Sequence, residues 1–544
     1  MVKKLLSSKA ATISSAALIL GLASFTSRLI GVVRNRIFAH EFGAGEALDI
    51  YYAAFKVPDF IYQLIILGAL SAGFIPLFLR AYVQKKEYAW YLMNTVLSVF
   101  GVLLAAVSVL LFFTMPFLVP FIVPGFSEAA IAETVYLSRI MLLSPLILGV
   151  SGILGSALQA LKHFLVYSLS PILYNLGIII GAIFLVPHFG LKGLAFGVLI
   201  GAVLHVSILI PTVLHQGFSF KFQFKPKSKQ FLELVKLMIP RSVAIATYQI
   251  NFIIMTVFAS TLAAGSITVF SFANDLQYFA VGIVGVSFAI AAFPTLSEHA
   301  AKQNGKAFIE HLVATIRKVT IFIIPIMICL LMLRAQIVRV VLGSGQFDWA
   351  ATIATADALA MFSLSLFAQA MIPVLARAFY ALHDTYTPLF IAIIGTLTNI
   401  VAAFLLKDIL GISGLALAFS IGATIQFVLL WVALRHQTST LNESVLLQLL
   451  YKISFATILM TVTIQSLKNW LGSEGMFDLT RFWGIFLQGL IAGIAGLIVY
   501  AGMMYLMKVP EIKELFAALS KKRRQAASSG KPPEPIVEVP STTS

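Results

Sequence analysis

The sequence predicts an all-α polytopic membrane protein with fourteen transmembrane helices, and two observations lead to this prediction. Of the 544 residues, 60% are hydrophobic and only 11% are charged, which gives a mean hydropathy of +0.96. The apolar residues also form continuous runs that reach the roughly 20 residues needed to cross the hydrocarbon core as a helix. A β-barrel would require alternating rather than continuous apolar residues.

The positive charge of the chain does not by itself indicate nucleic-acid binding. The formal net charge is +16, but Lys and Arg of membrane proteins collect in loops on one side of the bilayer, which accounts for the excess. The single cysteine, Cys329, has no partner for an intramolecular disulfide. No cluster of Cys and His has the spacing of a metal site. We therefore expect no nucleic-acid partner, no metal and no cofactor.

The loop charges favour an even number of spans with both termini in the cytoplasm. One set of connections carries basic residues such as Lys162 and Arg435, whereas most alternate connections carry none. The basic N-terminus is similar to a signal peptide, but its apolar run continues through Arg28 and Arg34, so we expect an uncleaved first helix. The predicted spans lie near residues 13–38, 47–79, 90–119, 131–158, 164–186, 191–214, 234–260, 266–295, 311–343, 350–381, 387–406, 411–434, 446–467 and 483–507.

An internal repeat predicts two lobes. Gly190-Leu-Lys-Gly-Leu-Ala195 recurs as Gly411-Ile-Ser-Gly-Leu-Ala416, at an offset of 221 residues. Each repeat holds six helices, an even number, so the two should be parallel, related by a pseudo-two-fold axis along the membrane normal, and should enclose a central cavity. The expected parts are an N-lobe at 1–215, a cytoplasmic amphipathic linker at 216–236, a C-lobe at 237–436, helices 13 and 14 at 437–507, and a mostly disordered cytoplasmic tail at 508–544.

The first span carries a polar stripe on an otherwise apolar helix. At about 100° per residue, Ser27, Arg28, Arg34 and Asn35 fall within about 120° of one another. A charge at the centre of a spanning helix costs about 2.5–3.5 kcal/mol on insertion scales, and such residues face a bundle interior or a wet cavity. The stripe therefore predicts one wall of a binding cavity.

Two further spans carry polar residues at helical spacing. On the second span, Asp49, Lys56 and Asp59 share one face, and we expect them to line the cavity; the alternative for Asp49 is a position in water at the outer end. On the eighth span Asp275 lies near the middle, where an arginine is a plausible partner. The amides Gln249 and Asn251 of the seventh span fit the cavity or helix–helix hydrogen bonding equally well.

The sequence shows no catalytic constellation and no phosphate-cradling Walker pattern. This favours a transporter driven by an ion gradient or the membrane potential over an enzyme. A membrane transferase would require clustered acids or histidines in a cytoplasmic loop, and a non-transporting scaffold would leave the intramembrane charges unexplained.

Several motifs resemble the MurJ/MviN family of lipid II flippases. They are Ser27-Arg28-Leu-Ile-Gly31-Val-Val-Arg34, Phe42-Gly43-Ala44-Gly45, Phe55-Lys56-Val-Pro58, Gly68-Ala69, Phe74-Ile75-Pro76, Gln249-Ile-Asn251, Phe258-Ala-Ser260, Phe293-Pro294-Thr-Leu and Phe379-Tyr380-Ala381. The resemblance implies a monomeric member of the multidrug/oligosaccharidyl-lipid/polysaccharide exporter superfamily in the bacterial inner membrane. Such a protein moves the undecaprenyl-pyrophosphate-linked peptidoglycan precursor to the periplasmic leaflet by alternating access, with its last two helices forming a groove for the lipid tail.

The resemblance also implies site residues. Arg28 and Arg34 match family arginines that hold the pyrophosphate, and Asp49 matches an acidic position. The chain departs from the family pattern at three places: an expected arginine is Tyr62, an Ala-Asp-Arg-Leu pattern is Ala273-Asn274-Asp275-Leu276, and an expected acid is Asn35. Arg241 or Lys56 are candidates to replace the missing charge. These departures keep two alternatives open, a flippase for another lipid-linked oligosaccharide and an ion-coupled multidrug exporter.

Overall fold

The computed structural model describes residues 13–67, 73–438, 440–473 and 477–514, together with Ala517, and every regular element within them is a helix. The middle of the predicted second span, with the Gly68-Ala69 motif, and most of the tail predicted to be disordered lie outside the described residues.

The helices follow one another with short connections, as expected of a polytopic protein. In the first part of the chain they are α1 (Ile13–Phe42), α2 (Glu46–Tyr62), α3 (Ile75–Gln84), α4 (Lys86–Ile122), α5 (Glu128–Met141), α6 (Leu143–Ala160), α7 (Phe164–Ile180), α8 (Val186–Phe189), α9 (Lys192–Ser207) and α10 (Leu209–His215). In the remainder they are α11 (Lys229–Ser260), α12 (Ser266–Val281), α13 (Ser287–Ala301), α14 (Gly305–Met332), α15 (Arg334–Val341), α16 (Trp349–Ser363), α17 (Leu366–Ala381), α18 (Tyr386–Thr438), α19 (Glu443–Ser473) and α20 (Phe482–Leu506).

Many of these helices are long and apolar enough to cross a membrane. Ten such helical stretches occur within the described residues, and the pair α16 and α17, bent by 46°, adds an eleventh if it forms one span. The 53 residues of α18 would extend about 80 Å as a straight helix, but the non-helical backbone of Gly411 interrupts it. The protein is thus a helical multi-span membrane protein, and the count of fourteen stays a prediction.

Residue contacts divide the chain into two units. The first comprises residues 1–276, 341–362 and 389–425, and the second comprises residues 277–340, 363–388 and 426–544. In the second unit, α14, α19 and α20 share an apolar core that includes Ile321, Met460 and Tyr500. The Tyr500 hydroxyl donates a hydrogen bond to the carbonyl oxygen of Ile321 at 2.9 Å.

The backbone repeats the offset of 221 residues found in the sequence. Gly190 and Gly411 both take a positive φ, of 59° and 56°, as do Lys162 and His383, at 67° and 62°. Positive φ is unusual for residues other than glycine, so the recurrence at Lys162 and His383 is informative. The same turns therefore occur at equivalent points of the two sequence repeats.

Glycines let α7 and α9 pack backbone against backbone. A Cβ placed on Gly177 would lie 2.2 Å from the backbone nitrogen of Gly201, and one on Gly201 would lie 2.4 Å from the carbonyl oxygen of Tyr174. Small residues allow such close approach, which drives helix association where no hydrophobic effect operates between helices. This packing fixes α7, the helix that carries Tyr174 and Asn175, within the first unit.

Candidate functional site

The Arg34 guanidinium of α1 is held by amide side chains. Its Nε and Nη2 donate to Oδ1 of Asn35 at 3.2 and 3.0 Å, and its Nη1 donates to Oδ1 of Asn175 on α7 at 3.1 Å. The Phe38 ring, one turn further along α1, has its centroid 5.8 Å from the guanidinium carbon. Amide oxygens are uncharged, so they orient the guanidinium without neutralising it.

One carboxylate stands beside this arginine. Oδ2 of Asp275, on α12, accepts a hydrogen bond from Nδ2 of Asn35 at 2.8 Å and lies 3.9 Å from Nη2 of Arg34. The Asp275 side chain is 46% exposed and that of Arg34 21%. The arginine that lies beside Asp275 is therefore Arg34. Asp275 binds Asn35 closely and Arg34 only at the outer limit of an ion pair.

Arg34 keeps donors for a further ligand. A guanidinium has five N–H groups, and three of them make the bonds to Asn35 and Asn175, which leaves two, one on each terminal nitrogen. No other described residue accepts from these two in the structure. Each terminal nitrogen of Arg34 thus keeps one N–H group. N–H groups on the two terminal nitrogens of a guanidinium can form a fork that binds a carboxylate or a phosphate with both oxygens.

Two tyrosine hydroxyls near Arg34 have no hydrogen-bond partner among the described residues. They belong to Tyr52 on α2 and Tyr174 on α7; both oxygens are buried, and both groups interact electrostatically with Arg34. A buried hydroxyl without a partner costs about 1–3 kcal/mol. Such groups in a folded protein call for an explanation, and a bound ligand is one. We refer to Arg34, Asn35, Asn175, Asp275, Tyr52 and Tyr174 as the Arg34 cluster.

A second polar group lies further along α2. Oδ2 of Asp59 accepts from Nε2 of Gln63 at 2.8 Å and from Nε2 of Gln249 on α11 at 3.3 Å. The Lys56 ammonium lies 5.9 Å from the ring centroid of Phe252 and interacts electrostatically with Asp59 and with Asp275 of the Arg34 cluster. The half-buried Lys56 thus places a second cation within electrostatic reach of the first group.

Asp49 has a structural role that differs from its predicted one. Its carboxylate accepts from the Gly265 amide, the Thr268 amide and the Thr268 hydroxyl, each at 2.7 Å. These amides lie at the N-terminus of α12, where unpaired N–H groups and the helix dipole favour a negative charge. Asp49 is only 2% exposed, so it neither lines the cavity as predicted nor lies in water. It caps α12 from α2.

The remaining predicted residues are not members of the Arg34 cluster. Ser27 and Arg28 are half-buried on α1. Arg28 lies about 9 Å from Arg34 along the helix axis. Tyr62 is half-buried on α2, and Asn274 precedes Asp275 on α12 and is also half-buried. Arg241 is exposed on α11, so it does not replace a missing arginine in a buried site.

Sequence reasoning missed the contribution of α7. In the sequence, Asn175 is a single polar residue of an apolar span, a pattern typical of helix packing. The adjacent pair Tyr174-Asn175 in the middle of this span was the available signal. For Asn251, the structure shows helix–helix bonding, since its Oδ1 accepts from Nδ2 of Asn399 at 2.8 Å.

The fold is similar to that of solved membrane transporters. A solved inward-facing multidrug resistance MATE transporter of the MOP superfamily matches with a TM-score of 0.65 at 16% identity, over 78% of this chain and 99% of that one. A lipid II flippase MurJ, solved in the inward closed conformation, matches with a TM-score of 0.76 at 24% identity, over 90% of this chain and 100% of that one. At these identities the likeness concerns the fold alone.

The sequence narrows the class to one family. The profile of the family described as Lipid II flippase MurJ matches residues 38–478, and the chain belongs to this family of membrane transporters. The chain is also 28% identical over 424 residues to a probable lipid II flippase MurJ of Rhizobium tropici, which covers 76% of this chain and 79% of that protein. The profile match begins after Arg34 and Asn35, so the roles of these two residues rest on the geometry described above.

Proposed function

We propose that this protein translocates lipid II across the bacterial inner membrane and that the Arg34 cluster receives the pyrophosphate of the substrate. The observation that supports this role is the Arg34 guanidinium, which is oriented by neutral amides and keeps two N–H donors on its terminal nitrogens. Arginine binds phosphate oxygens through such a fork, with charge-assisted bonds about twice as strong as neutral ones.

The neighbouring groups suit a pyrophosphate with sugars attached. The hydroxyls of Tyr52 and Tyr174 can each donate to a phosphate oxygen, which would satisfy their hydrogen bonds. Because Asp275 is 3.9 Å from Arg34, a phosphate at closer range displaces only a weak ion pair. Asp275 can then keep its bond to Asn35, and Asn35 its bonds to Arg34.

Lys56 is the proposed second cation of the substrate site. Its ammonium lies 5.9 Å from the ring centroid of Phe252, and the residue is half-buried, so water screens its attraction to an anion less than at the surface. Arginines implied by the family resemblance are absent at Tyr62 and at Asn274-Asp275. Lys56 compensates for part of the missing positive charge, since a compact ammonium attracts phosphate as a point charge.

Transport would proceed by alternating access of the two predicted six-helix lobes, from the cytoplasmic to the periplasmic leaflet. Both termini lie in the cytoplasm in this proposal, as the loop charges predict. The polyprenyl tail lies against the predicted helices 13 and 14, which correspond to α19 and α20, where apolar side chains such as Ile458, Val462 and Ile498 are exposed. An ion gradient or the membrane potential supplies the energy, and the protein acts as a monomer.

Complementation tests this function. A bacterial strain depleted of its lipid II flippase should grow when the wild-type chain is expressed. Arg34→Ala should abolish rescue, because it removes the fork. Arg34→Lys should rescue poorly, because an ammonium cannot make the bonds to Asn35 and Asn175 and keep two parallel donors.

Arg36→Ala is the matched control, since this residue of α1 lies outside the polar stripe and donates to the carbonyl oxygen of Val341 at 3.3 Å. It should rescue like the wild type at equal membrane expression. Failure of the well-expressed wild-type chain to rescue would contradict lipid II as the substrate. Full rescue by Arg34→Ala would contradict the role of the cluster.

A further inference from the structure

The segment between α10 and α11 is extended and follows α4. Nδ2 of Asn94 donates to the carbonyl oxygen of Ser219 at 3.1 Å, and Oδ1 of Asn94 accepts from the Lys221 amide at 3.1 Å. One turn along α4, Oγ of Ser98 accepts from the Gln223 amide at 2.8 Å. The polar side chains of one helix thus satisfy the backbone of the segment as a neighbouring strand would.

This pairing explains why phenylalanine alternates with polar residues in the segment. Successive side chains of an extended chain point to opposite sides. Phe218 is 8% exposed and packs on Trp90 with ring centroids 5.5 Å apart, whereas Phe220 and Phe222 are 58% and 67% exposed. The exposed rings lie at the mouth of an apolar groove.

The groove runs along α4 between α6, α10 and the extended segment. Its volume is about 570 Å³, in the range of about 300–1,000 Å³ usual for small-molecule sites. Its lining is apolar except for Ser98, which is engaged with Gln223. Gly101 forms part of the wall, and a Cβ placed there would meet no atom within 4 Å, so the space in front of it is open.

Lysines surround the end of the groove that lies at the extended segment. Lys86 and Lys225 are exposed, and the Lys225 ammonium lies 5.3 Å from the ring centroid of Tyr91 on α4. The Lys86 ammonium lies 3.3 Å from the position that a Cβ of Gly217 would take. An apolar groove with positive charge at one end is complementary to an anionic phospholipid, which has apolar acyl chains and a negatively charged phosphate.

We propose that this groove binds one anionic phospholipid of the leaflet next to the extended segment, with an acyl chain along Gly101 and the phosphate at Lys86 and Lys225. Each lysine near such a surface contributes attraction to anionic lipid. The groove offers no unengaged polar side chain for a peptide or a glycan. The lipid holds the extended segment on α4, at residues separate from the Arg34 cluster.

Native mass spectrometry of the full-length protein tests the proposal, with dioleoyl-phosphatidylglycerol and dioleoyl-phosphatidylethanolamine as probes. The wild type should retain phosphatidylglycerol preferentially. The double variant Lys86→Ala/Lys225→Ala should lower its affinity about thirtyfold, from the usual attraction of two lysines to anionic lipid. Gly101→Phe, which fills the open space, should abolish retention.

Lys306→Ala and Gly502→Phe are the matched controls, since both residues are exposed and Gly502 also has no atom within 4 Å of an added Cβ. Both should retain phosphatidylglycerol. Arg34→Ala should also retain it, because this variant changes the proposed substrate site and not the groove. Equal retention of the two probes would overturn the proposal, as would unchanged retention by either test variant. Displacement of phosphatidylglycerol by undecaprenyl phosphate at equal concentration would assign the groove to the substrate and overturn it as well.

Discussion

Asp275 illustrates how a single side chain can both support and oppose the proposed site. It fixes Asn35 by a hydrogen bond of 2.8 Å, and Asn35 in turn orients Arg34. Its negative charge, 3.9 Å from Arg34, also competes with an anionic ligand. Positioning and repulsion therefore act in opposite directions, and two substitutions at this residue can separate them.

Asp275→Asn should increase the affinity for an undecaprenyl-pyrophosphate ligand, because the amide oxygen can still accept from Asn35 while the charge is removed. Asp275→Ala should bind more weakly than Asp275→Asn, because Asn35 loses its acceptor. Ligand affinity of the purified variants, measured by calorimetry, checks the order. An affinity of Asp275→Asn below that of Asp275→Ala would refute this account of the residue.

The tyrosine hydroxyls give a second prediction. Tyr52→Phe and Tyr174→Phe each remove a hydroxyl that has no partner in the described part of the protein. We expect ligand affinity to fall about two- to tenfold per hydroxyl, the effect of one modest hydrogen bond, and thermal stability to be maintained. Tyr505→Phe, at an exposed tyrosine of α20, serves as the control. A marked loss of stability with no change in affinity would show a structural role instead.

Local sequence patterns identified part of this site and could not identify the rest. Arg34 and Asn35 stand out because charges and amides are costly in an apolar helix. The role of Asp49 depends on amides at residues 265 and 268, more than two hundred positions later, so no local pattern reveals it. The involvement of Asn175 depends likewise on how α7 packs beside α1.

Among the elements, the contact of α7 with α9 leaves no room for a larger residue at Gly177. Gly177→Ala should destabilise the protein by about 1–3 kcal/mol, as overpacking usually does, because the added methyl group meets backbone atoms of Gly201 at 2.2 and 2.3 Å. Gly502→Ala is the control, with no atom within 4 Å. Thermal unfolding in detergent compares the two; equal melting temperatures would contradict the close packing.

Residues 510–514 are tied to α14 by an ion pair that depends on pH. Nε and Nη2 of Arg317 donate to the two carboxylate oxygens of Glu511 at 2.5 and 2.9 Å. Burial raises the pKa of Glu511, but the bonds from Arg317 outweigh it and hold this pKa below its usual value of 4.5. The folded-state pKa is thus below that of the unfolded chain, so the pair stabilises above pH 4.5 and this contribution is lost as the pH falls through the lower, folded-state value.

Glu511→Gln should therefore lower the melting temperature at pH 7, and the difference from the wild type should shrink as the pH falls below 4.5. Glu514→Gln, at an exposed carboxylate three residues away, should change little at either pH. A difference between Glu511→Gln and the wild type that stays constant across this pH range would contradict the assignment.

Hydropathy was sufficient to predict the helices but not their irregularities. The linker was expected to be an amphipathic connector, and its alternating phenylalanines are explained by an extended chain paired to Asn94 and Ser98. The break of α18 at Gly411 falls on the first residue of the predicted span 411–434, and Gly190 forms the equivalent turn of the first repeat. Periodicity detects which residues are apolar, whereas these features depend on backbone hydrogen bonding.

For the whole molecule, composition predicted a polytopic helical membrane protein, and the internal repeat predicted two parallel lobes around a central cavity. The offset of 221 residues appears again in backbone conformation at Gly190 and Gly411. The polar residues of the Arg34 cluster all belong to the first contact unit. Sequence could not show this grouping, because it joins α1, α2, α7 and α12 across more than two hundred residues.

The central claim is that Arg34 binds the pyrophosphate of the substrate. The most direct measurement is the affinity of the purified full-length protein in nanodiscs for undecaprenyl pyrophosphate, compared between the wild type, Arg34→Ala and the Arg36→Ala control. We predict that Arg34→Ala weakens binding about ten- to one-hundredfold, as expected for charge-assisted hydrogen bonds, while Arg36→Ala binds like the wild type. Equal affinities of Arg34→Ala and the wild type would contradict the claim.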